Sequence, residues 1–146
     1  MNDVSIVRLS ADHLADVAEL ERLCFAEPWS ESSLELLLGE RGVGFAAFVD
    51  GRLAAYGGMM TVLDEGQITN IATHPDFRRM GLGRRIMNAL DEYGREKGIA
   101  FLSLEVRESN SAARGLYISC GWQEEGVRKN FYRLPVENAV VMTKKL

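Results

Sequence analysis

Asp50-Gly51, between the apolar runs FAAFV (45–49) and LAAYGGMMTVL (53–63), is the feature that most limits what this chain can fold into. A link of this kind suits a type I′ turn, whose two central residues both take positive φ, and Asp-Gly is among the pairs that do so at least cost. The twist of that turn matches the strands it joins, so an antiparallel pair is predicted. This argues against an all-parallel sheet, whose connections need long crossovers. A second tight turn is read at Asp64-Glu65-Gly66, leading into QITNIAT (67–73). The three runs then form an antiparallel meander, ended by Pro75, which has no N–H to give to a ladder.

The remaining segments surround that meander. VSIVRL (4–9) reads as a first strand. Apolar residues at Leu14, Val17, Ala18 and Cys24 predict a helix over His13 to Cys24 with Asp12 as its cap. Ser30 is the candidate N-cap of a short helix through Leu38. From Leu82, the spacing Leu82, Ile86, Leu90, Tyr93 predicts one face of a helix that stops near Gly98. AFLSLEVR (100–107) alternates as a strand should. Asn110 or Ser111 caps a short helix closed by Gly121, and two strands follow in WQEEGVRKNFYR (122–133) and NAVVMTKKL (138–146). The sum is an α/β fold with a central mixed, mostly antiparallel sheet of about seven strands flanked by about four helices, one domain over 1–146.

Composition narrows the function classes. Hydrophobic residues make up 47% of the 146 and charged residues 26%, a balance that supports a buried core. A formal net charge of −4 argues against direct nucleic-acid binding, which needs a basic face. No apolar run approaches the ~20 residues that span a bilayer, and the N-terminus lacks a charged-then-apolar leader pattern, so a cytoplasmic location and no membrane partner are expected. Cys24 and Cys120 are too few for a disulfide framework and are read as buried, reduced thiols on helix faces. His13 and His74 stand alone, so no metal is predicted.

Against that acidic background, FRRMGLGRRIMNAL (77–90) places Arg78, Arg79, Arg84 and Arg85 around two glycines at a helix start. Helix-initial N–H groups lack internal partners, and the helix presents roughly half a positive charge there, so an anion such as a pyrophosphate fits. A P-loop is excluded, because Arg84 rather than Lys follows Gly83; a Rossmann fingerprint is excluded, because Ile86 stands where a third glycine is needed. The plain alternative is a helix start that tolerates glycine beside solvated arginines.

The order of signals resembles the GNAT superfamily of N-acetyltransferases. Arg78-x-x-Gly81-x-Gly83 follows a strand ending NIATHPDF, and SLEVRESNSAARGLYISCGW lies one helix and one strand later. The resemblance covers the whole chain. It is closest to the RimI branch, which acetylates the N-terminal alanine of a small-subunit ribosomal protein, on Pro28-Trp29-Ser30, LDE (63–65), LEVRESN (104–110) and RKNFY (128–132). It implies the GNAT fold, acetyl-CoA as cosubstrate and a protein N-terminal peptide as acceptor, and leaves the oligomeric state open. It also implies that backbone groups of Ile71, Ala72 and Thr73 pair with the pantetheine arm like an added strand. Arg79, Met80, Gly81, Leu82, Gly83 and Arg84 would wrap the pyrophosphate, mostly through main-chain N–H. Asn110 would bond the pantetheine further along, and Glu105 and Tyr117 would be base and acid.

The chemistry asks for such a pair. An α-amine with pKa about 7.7–8.0 is mostly protonated at pH 7, so a base must take a proton before or during attack on the thioester, and an acid helps the thiolate leave. Glu105 shares a strand face with Ser103 and Arg107, opposite Leu102, Leu104 and Val106. Its plain alternative is a strand carboxylate paired with a basic neighbour. Tyr117, with Ala113 and Cys120 at helical spacing, equally suits a core tyrosine. Trp29 and Trp122 read as core or rim packing, and at most one of Met59 and Met60 can face a pocket. Two other functions stay open: acetylation of a small amine or a lysine side chain, and a non-catalytic acetyl-CoA-binding module.

Overall fold

The computed structural model describes residues 3–146, so the first two residues of the predicted domain lie outside the described residues. Seven strands, β1 (Val4–Arg8), β2 (Gly42–Val49), β3 (Arg52–Val62), β4 (Glu65–Thr73), β5 (Phe101–Arg107), β6 (Gln123–Arg133) and β7 (Val136–Lys145), form one sheet in the order β1-β2-β3-β4-β5-β7-β6. Neighbours run antiparallel throughout, apart from β4 and β5, which are parallel.

The hairpin that constrained the fold is formed as expected. Asp50 and Gly51 take φ of 49° and 82°, and Val49 pairs with Arg52 across the turn. The second turn lies earlier than predicted. Leu63 (φ 55°) and Asp64 make it, while Glu65 and Gly66 already pair with Val62 and Thr61. An acidic pair marked the region but not the residue that adopts the left-handed backbone.

Helices cover both faces. Helix α1 (Leu14–Cys24), the short α2 (Glu31–Leu34) and the 3-10 turn after it (Glu35–Leu38) pack Leu14, Val17, Leu34 and Leu37 on one face, against Ala46, Tyr56 and Ala72. Helices α3 (Leu82–Glu96) and α4 (Ser111–Ser119) bury Ile86, Met87, Leu90 and Tyr117 on the other. Ser30 caps α2 as predicted, its Oγ accepting from Ser33 N at 3.1 Å. Asp12 does not cap α1. A 3-10 turn over Ala11–His13 precedes that helix, and Ser10 N donates instead to His13 Nδ1 at 3.1 Å. On the α3 side, Asp91 and Lys144 of β7 form an ion pair of 2.5 Å, the two side chains only 6% and 14% exposed.

Candidate active site

A break in strand pairing creates the site. β4 and β5 pair over Glu65–Gln67 and Phe101–Ser103 only, then part. The cause lies on the other edge of β4: Gly57 pairs with Ile71 and Met59 with Ile68, so Thr69 and Asn70 together oppose Gly58. Such a bulge bends its strand and adds twist, here turning β4 away from β5. The gap is a cavity of about 600 Å³ between the two strands, closed on its flanks by the loop after α1 and by the β6–β7 hairpin.

Glu105, Asn110, Tyr117 and Ile71 all line this cavity. The alternation of β5 turns Glu105 into the gap while Leu104 and Val106 enter the core. Its side chain is 14% exposed; Oε2 accepts from Gln67 Nε2 at 3.1 Å, and Oε1 lies 3.7 Å from Arg128 Nε. Tyr117 is 7% exposed and stacks obliquely on Trp122, centroids 6.2 Å apart. Burial, with smaller effects from Tyr132 and Cys120, pushes the Tyr117 phenol well above its ordinary range. Tyr132 enters the same cavity, its ring centroid 4.3 Å from the Arg107 guanidinium carbon. Its phenol is pushed up to about 12, first by burial and then by the Glu105 charge. Asn110 also works as a cap, Oδ1 accepting from Ala113 N at 3.2 Å.

The glycine loop opens α3 with unusual backbone. Arg79 and Gly81 both lie in the left-handed region, at φ 66° and 74°, and Gly81 is a cap without a side-chain acceptor. Left-handed residues in such a turn bring backbone N–H groups together into an anion-binding concavity. The side chains of the loop divide. Leu82 is buried in the core, leaving its main chain as the part that can face a ligand, and Met80 packs against the same cluster. Arg84 is not turned outward to a peripheral phosphate: Nη2 donates to Ser119 Oγ at 2.7 Å and Nη1 approaches Cys120 Sγ at 3.6 Å. The negative end of α4 draws it there. Gly83 faces α4 as well, since a Cβ there would meet Leu116 Cδ2 at 3.0 Å.

On β4, Ile71, Ala72 and Thr73 bond to β3 on one side and have no strand on the β5 side. Ile71 packs against the α3–α4 core and Ala72 is buried in the other, so along these two residues the backbone is left to face the gap. The Thr73 carbonyl is partly engaged, accepting from Cys24 Sγ at 3.5 Å. Cys24 and Cys120 are free and half-buried rather than fully buried. Among the described residues no group of three His, Cys, Asp or Glu side chains is placed to hold a metal. No helix among the described residues is long and apolar enough to cross a membrane.

The profile of the acetyltransferase (GNAT) family matches residues 14–122 of this chain. The chain belongs to that family. Among its GNAT relatives, the [ribosomal protein bS18]-alanine N-acetyltransferase of Salmonella typhimurium is 40% identical over 144 residues, covering 97% of this chain and 96% of that protein. The Escherichia coli protein of the same description is 38% identical over the same shares. A crystal structure of the ribosomal-protein-S18-alanine N-acetyltransferase from Escherichia coli superposes with a TM-score of 0.88 at 37% identity, covering 99% of this chain and 94% of that one. A GNAT acetyltransferase from Elizabethkingia anophelis with acetyl-CoA bound shares the fold, with a TM-score of 0.79 at 19% identity and 98% of each chain covered.

Sequence reading missed part of the site. Gln67 meets Glu105 only because β4 and β5 run parallel over three residues, a pairing that no local pattern announces. Glu21 is fully buried on α1. Its Oε1 accepts from Trp29 N at 2.8 Å, Asn70 Nδ2 donates to both oxygens at 3.1 and 2.9 Å, and Tyr56 Oη donates to Oε2. Burial pushes the Glu21 carboxyl up, and these hydrogen bonds oppose that rise. Its helical spacing marked only a core face; a charged residue there was the available signal.

Proposed function

We propose that this chain transfers the acetyl group of acetyl-CoA to the N-terminal α-amine of a protein, the acceptor being the N-terminal alanine of a small-subunit ribosomal protein. The observation that carries this reading is the gap between β4 and β5, with a free strand edge, the Glu105 carboxylate and the buried Tyr117 phenol opening into it. The names of the relatives at 38% and 40% identity supply the acceptor.

The donor's pantetheine arm lies along the free edge of Ile71–Thr73, and its pyrophosphate rests on the α3 start, from Arg79 to Arg84. That assignment uses backbone N–H groups, which suits a loop whose Leu82 and Arg84 side chains are engaged elsewhere. Glu105 takes the amine proton as nitrogen attacks the thioester carbonyl. The C–S bond then breaks, and Tyr117 donates its proton to the leaving thiolate. A phenol raised by burial keeps its proton throughout the neutral range, so an O–H donor is always present to hydrogen-bond the charge developing on sulfur. The acceptor chain enters between Trp29 and the Phe131–Tyr132 edge.

A panel of peptides differing at the first residue, incubated with acetyl-CoA and read by mass spectrometry, tests this. A gain of one acetyl group at the α-amine of an alanine-initiated peptide is expected. Acetylation confined to lysine side chains or small amines sinks the acceptor assignment and leaves the donor assignment standing.

A further inference from the structure

Glu21 lies outside the set of reacting groups, yet every one of its contacts is made to something that shapes the cavity or backs it. Trp29 N belongs to the loop after α1, and Asn70 is one of the two bulged residues of β4; both line the cavity. Tyr56 backs them from β3, fully buried itself. All the partners donate: a backbone N–H, an amide N–H and a phenolic O–H. A carboxylate accepts at both oxygens and donates at neither, so it is the side chain that satisfies this set. No cation pairs with it among the described residues. A buried charge without a counter-ion is a poor source of stability compared with apolar packing. Its effect here is geometric.

We infer that Glu21 is a positioning residue for the acceptor: its carboxylate holds the wall carrying Trp29 in fixed register with the bulge that splays β4. This rests on the reading of the cavity as an acetyl-transfer site. The same loop is tied at its far side, where Arg133 N donates to Glu27 Oε1 at 3.0 Å. One wall of the acceptor entrance is thus pinned from beneath by Glu21 and across the opening by the β6–β7 hairpin. The donor's contacts, at the α3 start and the edge of Ile71–Thr73, do not pass through this carboxylate.

The test uses the full chain as wild type, Glu21→Gln and Glu21→Asp. Gln turns one accepting oxygen into a donor, so Trp29 N or Tyr56 Oη loses its partner while Asn70 keeps one. Asp keeps the charge but withdraws it by one methylene from both, and serves if the Gln variant fails to fold. Initial rates with an alanine-initiated peptide should show KM for the peptide raised about tenfold, the scale of one lost charged hydrogen bond, while coenzyme A affinity by calorimetry stays within about twofold. Amide hydrogen exchange at Trp29 should accelerate by about tenfold in the same variants. Unchanged peptide KM and unchanged Trp29 exchange, with only a lower melting temperature, would overturn the inference and leave Glu21 as a packing residue. If the wild type acetylates no N-terminal peptide, the proposed function fails, and the Trp29 exchange still decides this one: faster exchange upholds the pinned wall and unchanged exchange refutes it.

Discussion

Glu105→Gln separates a base from a scaffold residue. The substitution keeps side-chain volume, and the pairing of Glu105 with Val141 on β7 is a backbone matter that the change leaves alone. Two contacts are altered: the acceptance from Gln67 Nε2 at 3.1 Å, which the amide oxygen can still make, and the 3.7 Å approach of Arg128 Nε, whose side chain is 60% exposed. An exposed pair of this kind contributes up to about 1 kcal/mol, so the melting temperature should move by no more than about 2–4 °C. Loss of a general base costs roughly a hundred- to ten-thousandfold in kcat, or about 3–5 kcal/mol of barrier. The two effects therefore differ severalfold in free energy and fall on different measurements. Initial rates at saturating acetyl-CoA, calorimetry with coenzyme A and a thermal melt together give the answer. Full kcat in the variant, or a coenzyme affinity that falls in step with kcat, would falsify the assignment of Glu105 as base.

Gly83→Ala should lower kcat as well as coenzyme affinity, because its Cβ presses on Leu116, the neighbour of Tyr117 on α4; adding Leu116→Ala should restore the rate, and failure to do so would return Gly83 to a purely phosphate-side role. Tyr117→Phe should reduce kcat at least about tenfold with peptide and coenzyme affinities retained, as expected for an acid used only in the transition state. Lys144→Met strands the Asp91 carboxylate in the core and should cost about 3–5 kcal/mol by urea unfolding, with the paired Asp91→Leu recovering most of it. The buried phenols of Tyr56 and Tyr117 and the half-buried one of Tyr132 all lie above the ordinary value of about 10, so their stabilising share is complete below that pH and is lost as pH rises, through about 12 for Tyr132. Urea midpoints should therefore fall between pH 9 and pH 11, less steeply in Tyr56→Phe; equal slopes would contradict the role of burial at that residue.

The sequence and the structure agree most closely where local rules decide. Asp50-Gly51 needs only its own backbone preferences to turn, Ser30 and Asn110 need only a helix N–H within reach, and the Leu82-to-Tyr93 stripe needs only a core to face. The alternation of β5 likewise sent Glu105 to the polar side. The departures arise where distant segments meet. Asp12 is a local exception, displaced as a cap by the pairing of Ser10 with His13 three residues on, but nothing near Arg84 shows that the end of α4 will lie alongside it. The bulge at Thr69-Asn70 is the largest such case. Its register slip depends on β3, and its partner Glu21 is 49 residues from Asn70 in the chain. The motifs pointed to Glu105, Asn110 and Tyr117, which line one cavity, while the packing around them was written in pairs of residues too far apart to read together.

The short seam between β4 and β5 has a consequence for how long such a molecule lasts. Three residue pairs join the β1–β4 half of the sheet to the β5–β7 half. In the proposed placement, a donor along the β4 edge would act as a strut across the part left open. Ligand that binds the folded state alone adds about 2.7 kcal/mol at a hundredfold excess over its dissociation constant. The durability of this protein should thus follow the supply of its donor, with the folded population deepening when acetyl-CoA is plentiful.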